Sequence, residues 1–151
     1  RNNTGGLGQS NNTPVSYPVK VGTATNWADI SCSSSSGYGI KTDGTFWAWG
    51  GNPVGELGLN NRTPYNYPIQ IPGTDWTQLS RGAYFSMGAI RTDGTLWVWG
   101  HNYYGELGQN QAYEAPASDP GARKSSPTQI PGTNWKQVAS NGNNFIAIKE
   151  L

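Results

Sequence analysis

The residues of this chain that could do chemistry are few, and most recur fifty positions apart. Glu56 and Glu106 each sit in a Gly-Glu-Leu-Gly segment. Two carboxylates facing one cleft carry out the acid and base steps of glycoside hydrolysis. These two, however, hold one repeat position, and Gly6 takes that position in an earlier copy, Gly5-Gly6-Leu7-Gly8. They are therefore read as solvated or turn-capping groups that serve the repeat. Asp43 and Asp93, each in Thr-Asp-Gly-Thr, fall to the same argument. His101 is the single histidine and Cys32 the single cysteine. One imidazole and one thiol supply neither a zinc finger nor a thiol–imidazole nucleophile, and one cysteine forms no intrachain disulfide. His101 takes the slot of Arg1 and Gly51 in the other copies, so the scaffold does not require it and it reads as a surface residue. No Gly-x-Ser-x-Gly elbow or phosphate-binding loop occurs. The residues thus assign no catalytic group, no metal site and no cofactor.

The tryptophans are the other conspicuous chemistry. "FWAWG" carries Trp47 and Trp49, and "LWVWG" carries Trp97 and Trp99. On a strand, residues i and i+2 share a face, so each pair forms an aromatic strip, with Phe46 and Ala48 opposite the first. Such strips stack sugar rings or fill cores. A binding strip need not recur in register, whereas a structural one must, so the pairs read as core between adjacent layers, with Gly39, Ala89 and Ala147 small enough to make room. Lys41, Arg91 and Lys149 also recur, at the end of one strand. They could form a basic arc that attracts an acidic partner; as widely spaced charges they read as solvated strand ends.

Positioning these groups requires short strands. After Asn2, Asn52 and Asn102 come the Gly-x-Leu-Gly segments. Then follow "TPVSYPVKV" at Thr13, "TPYNYPIQI" at Thr63 and "SSPTQI" at Ser125, and next a turn leading to Trp27, Trp76 and Trp135. Further apolar runs end at Ile40, Ile90 and Ile148. Asp43-Gly44 and Asp93-Gly94 lie between apolar runs and predict two-residue type I′ hairpins. Pro-Gly before Trp76 and Trp135 predicts tight turns. With 10 prolines and 21 glycines, no amphipathic helix is expected. A period near fifty holding four short strands is the pattern of a β-propeller blade. The expected fold is all-β: a partial propeller of about three four-stranded antiparallel blades, part of a larger ring. Residues 1–151 form one repeat domain, with repeats at about 1–50, 51–100 and 101–151 in a permuted frame.

The order Trp-Gly-x-Asn, Gly-x-Leu-Gly, Pro-x-x-Ile, apolar strand, Asp-Gly, Trp-x-Trp-Gly resembles the regulator of chromosome condensation repeat, across essentially the whole chain. The resemblance implies a seven-bladed propeller. One departure stands out: the family usually carries a histidine four residues before the strand's last large apolar residue, where this chain has Ser36, Ser86 and Asn144. That makes it similar to divergent bacterial and viral members. Three blades leave two open faces and unpaired edges, so the chain is expected to be a segment of a larger protein or a protomer completed by other chains.

Composition narrows the partners. A net charge of +1 with 13% charged residues is no footprint for nucleic acid, and no apolar run reaches membrane-spanning length. The copies differ most at His101, Tyr103 and Tyr104 and in the stretch that follows. Gly8 to Pro18 and Gly58 to Pro68 span ten positions, Gly108 to Pro127 nineteen. The insertion, 110–126, carries Tyr113, Glu114, Arg123 and Lys124. Insertions in repeats map to loops on one face, often the binding face, so these seven residues are the candidate partner contacts. The function expected is a non-enzymatic structural or protein-interaction propeller segment, whose Asn, Ser, Thr and Gly content suits an extracellular or virion-surface assembly. Its expected partners are other proteins, or further copies or blades of a parent chain. One alternative is a glycan-binding propeller using Tyr65, Tyr67, Tyr103 and Tyr104. The resemblance adds a protein inhibitor similar to the β-lactamase inhibitory protein; nucleotide exchange fits least.

Overall fold

The computed structural model describes residues 2–82, 84–109, 123–141 and 144–150. These form ten strands and no helix. The first blade is β1 (Trp27–Cys32), β2 (Ser36–Lys41), β3 (Phe46–Gly50) and β4 (Tyr65–Ile71), hydrogen-bonded in that order. The second repeats it with β5 (Trp76–Leu79), β6 (Ser86–Arg91), β7 (Leu96–His101) and β8 (Arg123–Ile130). The third contains β9 (Trp135–Ser140) and β10 (Phe145–Lys149). Every pairing is antiparallel. The expectation of three four-stranded blades thus resolves into two complete sheets and a two-stranded one. "TPVSYPVKV" is not a strand, although its counterparts are β4 and β8. Those two pair with the tryptophan strands β3 and β7. Pro68 and Pro127 sit in β4 and β8, which are outer strands bonded on one side, where a missing N–H is tolerated.

Blades stack face to face, which buries both faces of the middle sheet and leaves Ile30 of the first and Ile146 and Ile148 of the third exposed. On blade one, Tyr38, Ile40, Phe46 and Ala48 point forward along the chain and meet Trp76, Leu79, Met87, Ala89 and Trp99 of blade two. Ring contacts knit this wedge: Phe46 lies 5.6 Å from Trp76 and 5.8 Å from Trp99. On blade two, Ile90 and Leu96 meet Val138, with Ile130, Trp135, Phe145 and Ala147 around them. The tryptophan pairs share the backward face, as expected, and the small residues opposite them are direct register partners, Gly39 with Trp47 and Ala89 with Trp97. Trp49 and Trp99 are buried; Trp47 and Trp97 are half-buried at the outer rim.

Backbone bonds tie successive blades in the same way each time. Trp76 N donates to Gly44 O (3.1 Å) and Trp135 N to Gly94 O (3.0 Å). Leu79 N donates to the Asp29 carboxylate (2.9 Å), and Val138 N to Gln78 Oε1 (3.0 Å), from one repeat position.

The Asp-Gly hairpins differ from the expected type I′. Only Gly44 and Gly94 have positive φ (77° and 75°); Asp43 and Asp93 do not. Gly44 N donates back to Lys41 O and Lys41 N to Thr45 O, which is a turn followed by a left-handed glycine, the three-residue hairpin with a glycine bulge. Side chains decide this. Asp43 Oδ1 accepts from both Thr45 N (3.0 Å) and Thr45 Oγ1 (2.6 Å), and Thr45 Oγ1 accepts from Trp47 Nε1 (2.9 Å). Asp93, Thr95 and Trp97 repeat the relay. The threonine bonds hold both aspartates below the usual carboxylate range.

Candidate interaction site

The site is built on the connector between the third and fourth strand of a blade, where the three copies can be compared. Asn52 holds the first connector. Its Oδ1 accepts from Leu57 N (3.0 Å), and its Nδ2 donates to Asn61 O (3.0 Å) and Thr63 O (3.1 Å). Asn2 makes the same bonds to Leu7, Asn11 and Thr13, and Asn102 accepts from Leu107 N (3.0 Å). The Asn2 and Asn52 connectors then seat on the next blade. Asn60 N donates to Ser125 O (2.7 Å) and Ser10 N to Asn66 O (2.7 Å). Trp49 Nε1 donates to Gly6 O (3.0 Å) and Trp99 Nε1 to Glu56 O (2.7 Å).

The two glutamates are turn caps, not solvated groups. Glu56 Oε2 accepts from Val54 N (2.9 Å) and Glu106 Oε2 from Tyr104 N (2.7 Å). Glu56 is fully buried, and its Oε1 has no hydrogen-bond partner. Burial raises its pKa to about 7. Its own carbonyl also accepts from the Tyr38 hydroxyl (3.0 Å); burial first, and the Glu56 charge second, push that phenol above its ordinary range. Glu106 Oε1 instead meets His101 Nδ1. The difference lies at one position, since Gly51 stands in blade one where His101 stands in blade two.

His101 is accordingly not a free surface residue. It ends β7, is half-buried, and is oriented by a carboxylate that is itself almost fully buried. Tyr103 stacks against it (centroids 6.1 Å, planes 24° apart), and Tyr104 packs edge-on to Tyr103 at 4.9 Å. The Tyr104 side chain is 76% exposed. The β7–β8 register sets His101 opposite Arg123 and Gly100 opposite Lys124. Five of the seven expected contact residues therefore meet at one corner of blade two. Tyr113 and Glu114 lie outside the described residues. Arg123 and Lys124 belong to a strand, and the insertion ends before them.

Lys41 and Arg91 are stacked on tryptophans and are not solvated ends, whereas Lys149 is exposed. Lys41 Nζ lies 4.1 Å from the Trp47 ring and 5.3 Å from Trp27. The Arg91 guanidinium lies 4.3 Å from Trp76 and 4.4 Å from Trp97. Lys149 lies 5.7 Å from Trp135. Their spacing matched that of the tryptophans, and this was the signal for a joint role. At the positions of the missing histidine, Ser36 Oγ donates to Gly51 O (2.6 Å), Ser86 Oγ is buried without a partner, and Asn144 is exposed.

The outward faces of the stack remain apolar. Blade one turns Trp27 and Ile30 to a groove of about 630 Å³, lined also by Val21 and Trp49. Among the described residues, no three His, Cys, Asp or Glu side chains converge as metal ligands, and no helix is long and apolar enough to cross a membrane.

The regulator of chromosome condensation (RCC1) repeat model matches residues 43–89 and 93–148, and a second model of that description matches 76–106. No curated protein sequence matches the chain. Among solved structures, human WBSCR16 superposes with a TM-score of 0.77 at 16% identity, over 99% of this chain and 38% of its own. Yeast RCC1 (Prp20), in a structure bound to Kap60, gives 0.64 at 18% identity over 82% of this chain and 30% of its own. Prp20p from Saccharomyces cerevisiae, in a study of its binding properties to Gsp1p and histones, gives 0.66 at 17% over 83% and 31%. This chain spans less than two fifths of the length of each. These identities speak to the fold, a β-propeller. With the repeat models covering well over half of its residues, the chain belongs to the regulator of chromosome condensation repeat family.

Proposed function

We propose that this chain is a non-enzymatic, protein-interaction segment of a β-propeller, and that it meets its partner at the His101 corner. The observation that carries this reading is a local departure from a strict repeat. The slots filled by Gly51, Pro53 and Val54 in blade one hold His101, Tyr103 and Tyr104 in blade two, while the Asn and Glu clamps beneath are kept. Arg123 and Lys124 stand beside this rigid aromatic corner, which gives it the composition of an interface anchor. The yeast relative was captured with Kap60 and studied for binding to Gsp1p and histones, which supports the same use of the fold here. A photo-crosslinker at position 104 in native material tests the reading. Crosslinks to a protein, lost with Tyr103→Ala or Arg123→Ala, are the expected result; absence of any protein crosslink refutes it.

A glycan is the second reading, favoured by the exposed Tyr104 ring set against Tyr103, since such rings offer sugars a flat apolar face. Glycan-array signal lost on Tyr103→Ala and Tyr104→Ala would support it, and silence on broad arrays would remove it. The low charge and the Asn, Ser, Thr and Gly content support an extracellular or virion-surface setting, which immunolabelling of intact cells or particles checks.

A further inference from the structure

Blade two differs from blade one in a second loop besides the connector. The β5–β6 turn carries Tyr84 and Phe85 where the β1–β2 turn carries Ser34 and Ser35. The backbone beneath is bonded alike in both. Gly51 N donates to Ser35 O (3.0 Å), and His101 N donates to Phe85 O (2.9 Å). That bond joins the turn to the connector at one end of the sheet. Five slots at this end change together, from Ser34, Ser35, Gly51, Pro53 and Val54 to Tyr84, Phe85, His101, Tyr103 and Tyr104. Blade one keeps the same bond with small and aliphatic residues there, so the repeat scaffold does not call for the rings.

The rings form two notches. Tyr84 stands against Phe85 at 4.2 Å with planes 61° apart, and Tyr103 against Tyr104 at 4.9 Å with planes 81° apart. Tyr84 and Tyr104 are 52% and 76% exposed, so each notch is open to solvent. Both notches lie within three residues of the Phe85–His101 bond, which sets them on the order of 10 Å apart. That is about one turn of a polyproline II helix, three residues at about 3.1 Å each.

We propose that this strip docks a proline-rich protein segment, extended as polyproline II, with an acidic residue flanking its prolines. The proposal rests on the Tyr104 corner being a protein contact and names the chemistry of the partner. Prolyl rings are rigid and apolar, and seat against aromatic rings with little entropy lost. A polyproline II backbone makes no internal hydrogen bonds, so its carbonyls can accept from tyrosine hydroxyls. An amphipathic helix needs a continuous apolar groove, and here His101 with its Glu106 partner interrupts the rings. Charge sets the flank. Arg81 in the turn is paired with Asp29, and His101 with Glu106. Arg123 and Lys124, set opposite His101 and Gly100, add positive charge on the connector side, which an acidic residue complements.

The test titrates the 151-residue protein into two labelled synthetic peptides, read by fluorescence anisotropy. One is a decaproline with a glutamate at each end, the other a glycine–serine decamer with the same ends. Saturable binding of the proline peptide alone is expected. Tyr84→Ala and Tyr104→Ala should each weaken it about fivefold, and Tyr104→Phe about threefold through the lost hydroxyl. Unchanged near-ultraviolet circular dichroism of the tryptophans checks that each variant is folded. No binding, equal affinity for the glycine–serine peptide, indifference to Tyr84→Ala, or binding of oligosaccharides in place of the proline peptide overturns the inference. If the crosslinker at position 104 still captures a protein in that event, the interaction reading stands and only the proline assignment falls.

Discussion

Replacing Glu56 by glutamine should make the protein more stable at neutral and alkaline pH and leave it unchanged in acid. The Glu56 carboxyl lies fully buried between blades, with one oxygen on Val54 N and the other without a partner. Burial lifts its pKa from the ordinary 4.5 to about 7. The folded state therefore holds this proton more tightly than the unfolded chain does. Below pH 4.5 both states are protonated and the group costs nothing. Between 4.5 and about 7 the unfolded chain ionises while the fold resists, so stability falls as pH rises; above about 7 the full penalty is present. At about 1.4 kcal/mol per pKa unit, the penalty at about pH 8 is about 3 kcal/mol. The glutamine of the Glu56→Gln variant keeps an oxygen for Val54 N and cannot ionise. Urea denaturation of both proteins at about pH 5 and about pH 8 reads the difference, and subtracting the two profiles removes contributions from His101 and all other groups. The difference should be small at the lower pH and grow to about 3 kcal/mol at the higher, or about 5–10 °C in thermal midpoint for a domain of this size. Parallel profiles would show that Glu56 is hydrated or otherwise paired, and would refute the reasoning.

Other substitutions probe other joints of the fold. Asn52→Ala strands Leu57 N and the carbonyls of Asn61 and Thr63, and should cost about 2–4 kcal/mol in urea denaturation. Gly55→Ala places a Cβ 2.6 Å from Ser125 Cα at a φ of +84°, and should cost at least about 2 kcal/mol. Gly22→Ala, at positive φ in open space, should cost about 1 kcal/mol by the same assay. Tyr38→Phe removes one of two donors to Glu56 O while Trp99 Nε1 keeps the other, so a loss of about 1 kcal/mol is expected. Arg91→Met should alter the near-ultraviolet circular dichroism of Trp76 and Trp97, with a cost of about 1–2 kcal/mol for a half-buried cation stacked between two rings. An unchanged aromatic spectrum would show that the stack is not formed in solution.

The propeller and its repeat were legible because each is written in local rules. Period two places Trp47 and Trp49 on one face, the fifty-residue recurrence makes that face structural, and Pro-Gly and Asp-Gly mark the turns. These depend on chain neighbours, so a sequence contains them. The grouping of His101, Tyr103 and Tyr104 could be read as a departure from the copies.

Other features took their form from packing. Asp43 and Asp93 keep ordinary φ because the threonine two residues on donates twice to their carboxylates, a competition that Asp-Gly alone does not reveal. Glu56 and Glu106 share a motif yet differ in environment, since Gly51 stands near one and His101 beside the other. Glu56 is buried where its connector meets Trp99 of the neighbouring blade. Lys41 and Arg91 look like solvated strand ends until a tryptophan from the first strand and another from the third close over them. Arg123 joins His101 only through the β7–β8 register, across an insertion whose path local rules do not set. Which residues recur, and which face of a strand they share, follows from backbone periodicity and could be read along the chain. Which of those residues are buried, paired or left at an edge follows from the neighbouring blade, because burial is a property of the packed pair and not of one segment.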